Sequence, residues 1–218
     1  ANWAYVPPPK EGEILSSGYE VCITSPDDKD AIFNIARMQG VLAGAHQAMY
    51  EDVYPDLEVS QWFGLLGVNE GIQEALDRGV LIYHAKALDS GRIIGYISCT
   101  LCYGNSCVRE PTQEKKADDD ESPHGYINNI IVLDQHRGHG VGKLLFNELL
   151  DHLAEACPTI ANDIRLSVAD QNVRAKEWYE RRGFAVESHW MARPNNCPVQ
   201  FLKMCRRLDV GDFDDMFS

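Results

Sequence analysis

Three glycines alternate along a turn between a predicted strand and a predicted helix, and this spacing could bind a phosphate group. The apolar run 130–133 predicts a buried strand, and apolar residues recur at helical spacing from Val141 onwards. The turn with Gly138, Gly140 and Gly142 therefore brings unpaired backbone N–H groups to the positive end of a helix dipole. Because glycine lacks a Cβ atom, an anion could approach this backbone closely.

Basic residues flank the glycines, with Arg137 before them and Lys143 after them. An ordinary strand-to-helix connection needs one or two glycines, so three of them between two cations favour an anion site. A P-loop is excluded, because its first glycine and its Ser or Thr would stand where this chain has Arg137 and Leu144. A dinucleotide fingerprint is excluded as well, because its third glycine would stand at Lys143. The remaining pattern is Arg-x-x-Gly-x-Gly, formed by Arg137, Gly140 and Gly142.

A second pattern lies in a predicted helix further along the chain. It reads Asn-x-x-Ala-x-x-x-Tyr-x-x-x-Gly-Phe and consists of Asn172, Ala175, Tyr179, Gly183 and Phe184. The two patterns, in this order, resemble the two signatures of the GNAT superfamily of acetyl-CoA-dependent N-acetyltransferases. Two independent motifs that match together are far more specific than either one alone.

The resemblance covers roughly residues 19–208 in element order and is specific over 126–184. It implies an α/β (α+β) fold with a mixed, mostly antiparallel sheet flanked by helices. The fourth and fifth strands of that sheet would splay apart, and acetyl-CoA would bind between them as the co-substrate.

The resemblance also assigns cofactor contacts. The loop 137–142 would bind the pyrophosphate through its backbone N–H groups. The backbone of Ile130 and Val132 would pair with the pantetheine arm, and an N–H near Val132 would polarise the thioester carbonyl. Asn172 would hold the cofactor arm. The complete set of expected cofactor contacts is Ile130, Ile131, Val132, Arg137, Gly138, His139, Gly140, Val141, Gly142, Lys143, Asn172 and Tyr179.

Two tyrosines are the expected catalytic residues. Tyr179 would protonate the departing thiolate, since a phenol with a reference pKa of about 10 can donate to a thiolate whose conjugate acid is near 8.5. Tyr126 stands where some protein N-terminal acetyltransferases of the superfamily carry a tyrosine that serves as the general base. In those enzymes a histidine on the fifth strand assists the tyrosine, and this chain has Ser167 at that position. Tyr126 as the base and Tyr126 as a wall of the substrate pocket therefore both stay open. The alternative bases are Glu51, Asp52 and Glu58.

The composition is that of a globular protein and excludes some partners. The formal net charge of −13 argues against direct nucleic-acid binding. It favours a cationic substrate by steering, although acidity that serves only solubility explains it equally well. No apolar run could span a bilayer, and the seven cysteines show no metal-ligand spacing. We therefore expect no metal site, reduced thiols and a cytoplasmic setting, with the nucleus as the alternative.

The hydrophobic pattern predicts one catalytic domain with extensions. An N-terminal arm covers 1–18, the acetyltransferase domain 19–208 and an acidic tail 209–218, and within the domain a charge-rich insertion at 104–125 predicts a mobile loop. The predicted strands are 19–24, 80–87, 92–103, 126–133, 164–168, 184–191 and 199–208. The predicted helices are 31–40, several pieces within 43–79, 141–156 and 172–182.

These patterns together predict an N-acetyltransferase that transfers the acetyl group directly to a primary amine in a ternary complex. The first expectation for the acceptor is a protein or peptide amine. A small amine, such as a polyamine, an arylalkylamine or an amino sugar, is the alternative. A third interpretation is a catalytically silent acyl-CoA-binding module, which the lack of a carboxylate on the predicted fourth strand would favour.

Overall fold

A computed structural model describes residues 18–50, 69–103, 122–193 and 198–207. The strands are β1 Tyr19–Ile23, β2 Leu81–Ala87, β3 Ile93–Cys102, β4 His124–Val132, β5 Asp163–Ala169, β6 Ala185–Ala192 and β7 Val199–Arg207. The helices are α1 Lys29–Tyr50, α2 Asn69–Asp77, α3 Val141–Ala156, α4 Pro158–Ala161 and α5 Val173–Glu180, and a short 3-10 helix covers Asp134–His136.

The strands form one sheet in the order β1-β2-β3-β4-β5-β7-β6. Every neighbouring pair is antiparallel except β4 and β5, which are parallel. Pairing between β4 and β5 is confined to residues 125–127 and 164–166. Beyond these residues β4 continues to Val132 and β5 to Ala169 without pairing to each other. The predicted mixed sheet with splayed fourth and fifth strands is confirmed.

Each face of the sheet packs against its own helices. On the face that we call the α3 face, Ile97 and Ile127 join a core with Leu145 and Leu149, both fully buried on α3. On the opposite face, the α1 face, residues of α1 and α2 cover the sheet, and Tyr96 and Ile131 belong to that core. Because side chains alternate along a strand, the register decides which residues of β4 meet which helix layer.

A β-bulge at Asn128 interrupts that alternation. Ser98 pairs with Asn129 but the next residue, Cys99, pairs with Ile127, so Asn128 is an extra residue on β4. Its side-chain amide donates to Thr100 Oγ1 at 2.9 Å. Bulges bend a strand and increase its twist, and this one lies where β4 begins to diverge from β5.

Several boundaries differ from the sequence predictions. Helix α1 runs to Tyr50 rather than ending at Gly40, since a glycine inside a helix costs only about 1 kcal/mol relative to alanine. Strand β4 begins at His124, so His124 and Gly125 belong to the sheet and not to the predicted insertion. Residues 104–121 of that insertion, residues 1–17 of the arm and the tail lie outside the described residues.

The thiol prediction is wrong at one position. Cys102, at the end of β3, is disulfide-bonded, whereas Cys22, Cys99, Cys157 and Cys205 are free. The cytoplasmic setting, which we based on reduced thiols, stays a prediction. Among the helices in the described part of the chain, none is long and apolar enough to cross a bilayer.

Candidate active site

The glycine loop leads directly into helix α3. Gly138 and Gly140 have φ angles of 82° and 85°, which only glycine adopts without strain. Gly140 is the N-cap of α3 and has no side chain to cap the first turn, so the N–H groups of that turn receive no side-chain acceptor from it. A Cβ atom added at either glycine would meet nothing within 4 Å. The space at these two Cβ positions is therefore open.

Arg137 fastens this loop to the end of β4. Its Nε donates to the Val132 carbonyl at 2.9 Å, and its guanidinium contacts the Asp134 carboxylate at 2.5 Å. Nδ1 of His139 hydrogen bonds to the Arg137 carbonyl at 3.0 Å. The Arg137 side chain thus connects the loop to the end of β4, and Lys143 lies exposed at the start of α3.

The three strand residues expected at the cofactor lie on the splayed part of β4. Ile130 and Val132 pack partly buried against the α3-face core, and Ile131 is buried in the α1-face core. None of the three pairs with β5. Their backbone is therefore not paired with β5, and its contact with a pantetheine arm stays a prediction.

Helix α5 begins at Asn172 and presents Tyr179 two turns later. Oδ1 of Asn172 accepts a hydrogen bond from the Ala175 N–H at 3.2 Å, which makes Asn172 the N-cap. This oxygen therefore fixes the start of α5, and the side-chain NH₂ is the group that could contact a cofactor. The sequence predicts a helix cap at 170–172, and the structure confirms it at Asn172; the contact of Asn172 with the cofactor stays a prediction.

Tyr179 is buried among aromatic rings. Its ring packs edge-on against Trp178 and Phe184, with centroid distances of 5.2 and 5.5 Å. Burial raises the pKa of the Tyr179 phenol, the nearby Tyr126 raises it further, and the charge of Arg182 lowers it in part. The two predicted catalytic tyrosines therefore interact electrostatically, since Tyr126 changes the pKa of Tyr179.

Trp178 and Arg182 are site residues that the sequence analysis missed. A Cβ atom at Gly142 would lie 3.3 Å from the Trp178 ring, so the third loop glycine lets α5 pack against the start of α3. The Arg182 guanidinium stacks on that ring, 3.4 Å from its centroid, and donates to the Trp178 carbonyl at 2.9 Å. The available signal was the spacing of four residues between Trp178 in α5 and Arg182 just beyond its end.

Tyr126 lies on the α1 face, opposite the helix that carries Tyr179. Its neighbours Gly125 and Ile127 point to the α3-face core, so alternation directs the half-buried Tyr126 to the other side, in register with Arg165. Tyr126 lies one residue before the end of the pairing between β4 and β5, where the two strands begin to separate.

Of the other positions considered for the base, the structure describes only Ser167. Ser167 Oγ accepts a hydrogen bond from Trp190 Nε1 at 3.3 Å, and the Trp190 ring stacks on Phe201 with a centroid distance of 4.7 Å. Ser167 is therefore part of an aromatic wall and does not supply the chemistry of a histidine. The carboxylates Glu51, Asp52 and Glu58 lie outside the described residues.

A buried polar group next to Tyr126 was also missed. Arg165 is 2% exposed and forms a two-point ion pair with Asp163, with an Nε to Oδ1 distance of 2.9 Å. It also donates to Ser122 Oγ at 2.9 Å. His124, which is 9% exposed, accompanies them on the same face of the sheet.

Comparison with known proteins identifies the class to which this site belongs. The model of the acetyltransferase (GNAT) family matches residues 35–184, and the chain belongs to that family. The predicted membership is confirmed, and acetyl-CoA is the co-substrate of this family. Curated protein sequences yield no significant match.

Solved structures share the fold at low sequence identity. Arabidopsis thaliana NAA60 in complex with acetyl-CoA superposes with a TM-score of 0.55 at 16% identity, covering 86% of this chain and 98% of its own. The PaiA N-acetyltransferase of Thermoplasma acidophilum in complex with coenzyme A gives 0.57 at 16% identity, covering 87% and 99%. The ribosomal-protein-S5-alanine acetyltransferase of Vibrio fischeri gives 0.57 at 12% identity, covering 92% and 98%.

Proposed function

We propose that this protein transfers the acetyl group of acetyl-CoA directly to a primary amine of a protein or peptide. The observation that carries the proposal is the continuity of two features. The gap between β4 and β5 ends at a glycine loop whose N–H groups receive no side-chain cap. Such a gap exposes strand backbone for a peptide-like arm, and such a loop binds a diphosphate.

In this proposal, Tyr179 and Tyr126 act from opposite faces of the sheet. The buried Tyr179 has a raised pKa and stays protonated at neutral pH, so it can give its proton to the thiolate of coenzyme A. Tyr126 lies on the opposite face, in register with Arg165 near the end of the pairing between β4 and β5. The amine therefore approaches from the α1 face while acetyl-CoA occupies the gap.

The preference for a peptide amine rests on the energy of deprotonation. A lysine-type amine with a pKa of about 10.4 costs about 5 kcal/mol to deprotonate at pH 7, whereas an α-amine near 8 costs only about 1 kcal/mol. No carboxylate is present on β4. A site with weakly basic groups is better suited to an α-amine.

Binding of acetyl-CoA tests the cofactor assignment. We expect acetyl-CoA to raise the melting temperature of the protein and a Gly140→Glu variant to lose most of that shift, because the new carboxylate would fill and repel the anion site. Gly44→Glu is the matched control, since Gly44 lies on helix α1 with open space around its Cβ position. An equal shift in both variants would refute the diphosphate site.

Release of free coenzyme A tests the acceptor. We expect release with peptides that carry a free α-amine and much slower release with the same peptides acetylated at that amine and bearing only lysine. Faster turnover of polyamines or arylalkylamines would assign the protein to small amines instead. Tight acetyl-CoA binding with no release for any amine would identify a silent binding module.

A further inference from the structure

An open cavity lies on the α1 face, between helix α1 and the hairpin of β2 and β3. Its volume of about 770 Å³ is in the range of pockets that hold small organic molecules. Residues three or four positions apart on α1 share one side of a helix, and four of them form one wall: Asp30, Asn34, Arg37 and Val41. The opposite wall consists of Lys86 on β2 and residues 91–93 at the start of β3.

The floor of this cavity is apolar and belongs to the α1-face core. It consists of Met38 on α1, Ile93 on β3 and Leu133, which follows β4. Met38 is buried in that core, and Ile93 and Leu133 pack against it while staying partly exposed. The N–H of Leu133 donates to the Ile94 carbonyl at 2.9 Å, so the end of β4 is fixed to β3. This apolar floor could accept the apolar part of a ligand.

Three cations line the same cavity: Arg37, Lys86 and Arg92. Within the described part of the chain, their side chains form no ion pair and no hydrogen bond. The Arg37 guanidinium lies over the exposed ring of Phe33, 5.8 Å from its centroid. Glu20 stands opposite Lys86 in the register of β1 and β2, and no ion pair joins the two. The chain has 33 acidic residues against 20 basic ones, so three unpaired cations in one cavity indicate a site for an anion.

The carboxylates of the cavity do not cancel these cations. Asp28 and Asp30 also line it, which leaves one positive charge in excess. Oδ1 of Asp28 accepts a hydrogen bond from the Ala31 N–H at 2.9 Å, so this carboxylate serves to cap α1. Asp30 lies in the first turn of α1, where the helix dipole favours a negative charge.

This cavity is distinct from the proposed acetyl-transfer site. None of the described residues that we expect at the cofactor lines it. Leu133 comes seven residues after Tyr126 in the chain, which corresponds to about 20 Å along a strand. A ligand in the cavity therefore lies at the other end of β4 from Tyr126.

We propose that this cavity binds a small organic molecule that carries a phosphate group on an apolar or aromatic body. A phosphate monoester has three terminal oxygens and a charge of about −2 at pH 7, which matches three cations on two walls. The guanidinium groups of Arg37 and Arg92 pair with its oxygens, and the Lys86 ammonium adds a third charge. The body of the molecule packs on the apolar floor. This assignment does not rest on the proposed acetyl transfer.

Titration with phenyl phosphate, followed by calorimetry, tests the site. We expect saturable binding to the wild-type protein and affinities about 10-fold weaker in Arg37→Gln and in Arg92→Gln, because each variant loses a charge-assisted contact. Both arginines are exposed, so the variants should keep the wild-type melting temperature. Arg78→Gln is the matched control, since Arg78 is an exposed arginine just after α2 that does not line the cavity.

Two further comparisons separate this cavity from other anion sites. Gly140→Glu, which disables the proposed diphosphate loop, should bind phenyl phosphate like the wild-type protein. Inorganic phosphate lacks the apolar body and benzyl alcohol lacks the charge, so both should bind more weakly than phenyl phosphate. Equal binding of benzoate would refute selectivity for phosphate.

Several results would overturn the assignment. Absence of saturable binding to the wild-type protein would remove the site, and so would equal affinity in the wild-type protein, Arg37→Gln and Arg92→Gln. Should these variants fail to fold, amide NMR of the wild-type protein decides. Ligand-induced shifts at Gly91 and Leu133 would support the cavity, and shifts confined to Gly140 would assign the anion to the glycine loop instead.

Discussion

At the residue scale, burial shifts the pKa values of a phenol and of an imidazole in opposite directions. It raises the pKa of Tyr179 and lowers that of His124, because burial disfavours the charged form of each group. Tyr126 contributes to the raised pKa of Tyr179, so the two predicted catalytic tyrosines interact electrostatically.

Removal of a single oxygen tests the donor. We expect Tyr179→Phe to lower kcat by about 100-fold or more while the dissociation constant of acetyl-CoA stays within about twofold, because the ring keeps its contacts with Trp178 and Phe184. Tyr83→Phe is the control: this buried tyrosine of β2 also has a raised pKa but packs in the core away from the gap. Equal activity of Tyr179→Phe and the wild-type protein would remove Tyr179 as the acid.

At the element scale, the site depends on how β4 leaves the sheet. The bulge at Asn128 changes the alternation, so that Ile127 and Ile130 both pack on the α3 face although they are three residues apart. Beyond the bulge, Gly95 permits a close approach of β3 and β4, since a Cβ atom on Gly95 would lie 2.8 Å from the Ile131 carbonyl oxygen. The gap is therefore set by backbone packing on both sides of the bulge.

Addition of one methyl group tests this packing. We expect Gly95→Ala to lower the free energy of unfolding by about 2 kcal/mol or more, since β3 and β4 would have to separate, and to weaken acetyl-CoA binding as the gap changes shape. Gly44→Ala adds the same group to an open position of α1 and should raise stability by about 0.5–1 kcal/mol. Denaturant unfolding measures both, and a neutral Gly95→Ala would contradict the close approach.

At the scale of the whole molecule, both helix layers bury histidines against the sheet. His84 on β2 is 1% exposed, with Nδ1 2.8 Å from Thr24 Oγ1, and burial lowers its pKa to about 4. His124 and His152 are shifted in the same direction. Because the unfolded chain binds protons at these rings from about pH 6.5 downwards, acid favours unfolding.

The pH dependence of stability follows from these shifts. The neutral His84 ring contributes fully to the free energy of unfolding above pH 6.5. This contribution is lost as the pH falls towards 4, and the loss is about 3 kcal/mol over that range. We expect the free energy of unfolding of the wild-type protein to decline more steeply below pH 6.5 than that of His84→Asn, which has no titrating ring. Parallel profiles for the two proteins, measured by urea unfolding at each pH, would contradict the lowered pKa.

The sequence by itself determined the parts of the site that local chemistry encodes. The glycine loop, the start of α3 at Val141, the N-cap Asn172 and the position of Tyr179 two turns later all follow from backbone preferences and helical period within short windows. These features also sufficed to identify the family, which the comparison confirms.

Only the tertiary structure decided which side chains face one another across the sheet. The register of β4 against β3 places His124 and Tyr126 on the same face of the strand. In the same sheet, Ser167 of β5 accepts a hydrogen bond from Trp190 of β6. Pairing between residues far apart in the chain fixes such a register, and a shift by one residue would reverse every side chain. Local sequence patterns contain no information about the strand register. For this reason the sequence analysis predicted His124 as part of a loop, whereas it lies in β4.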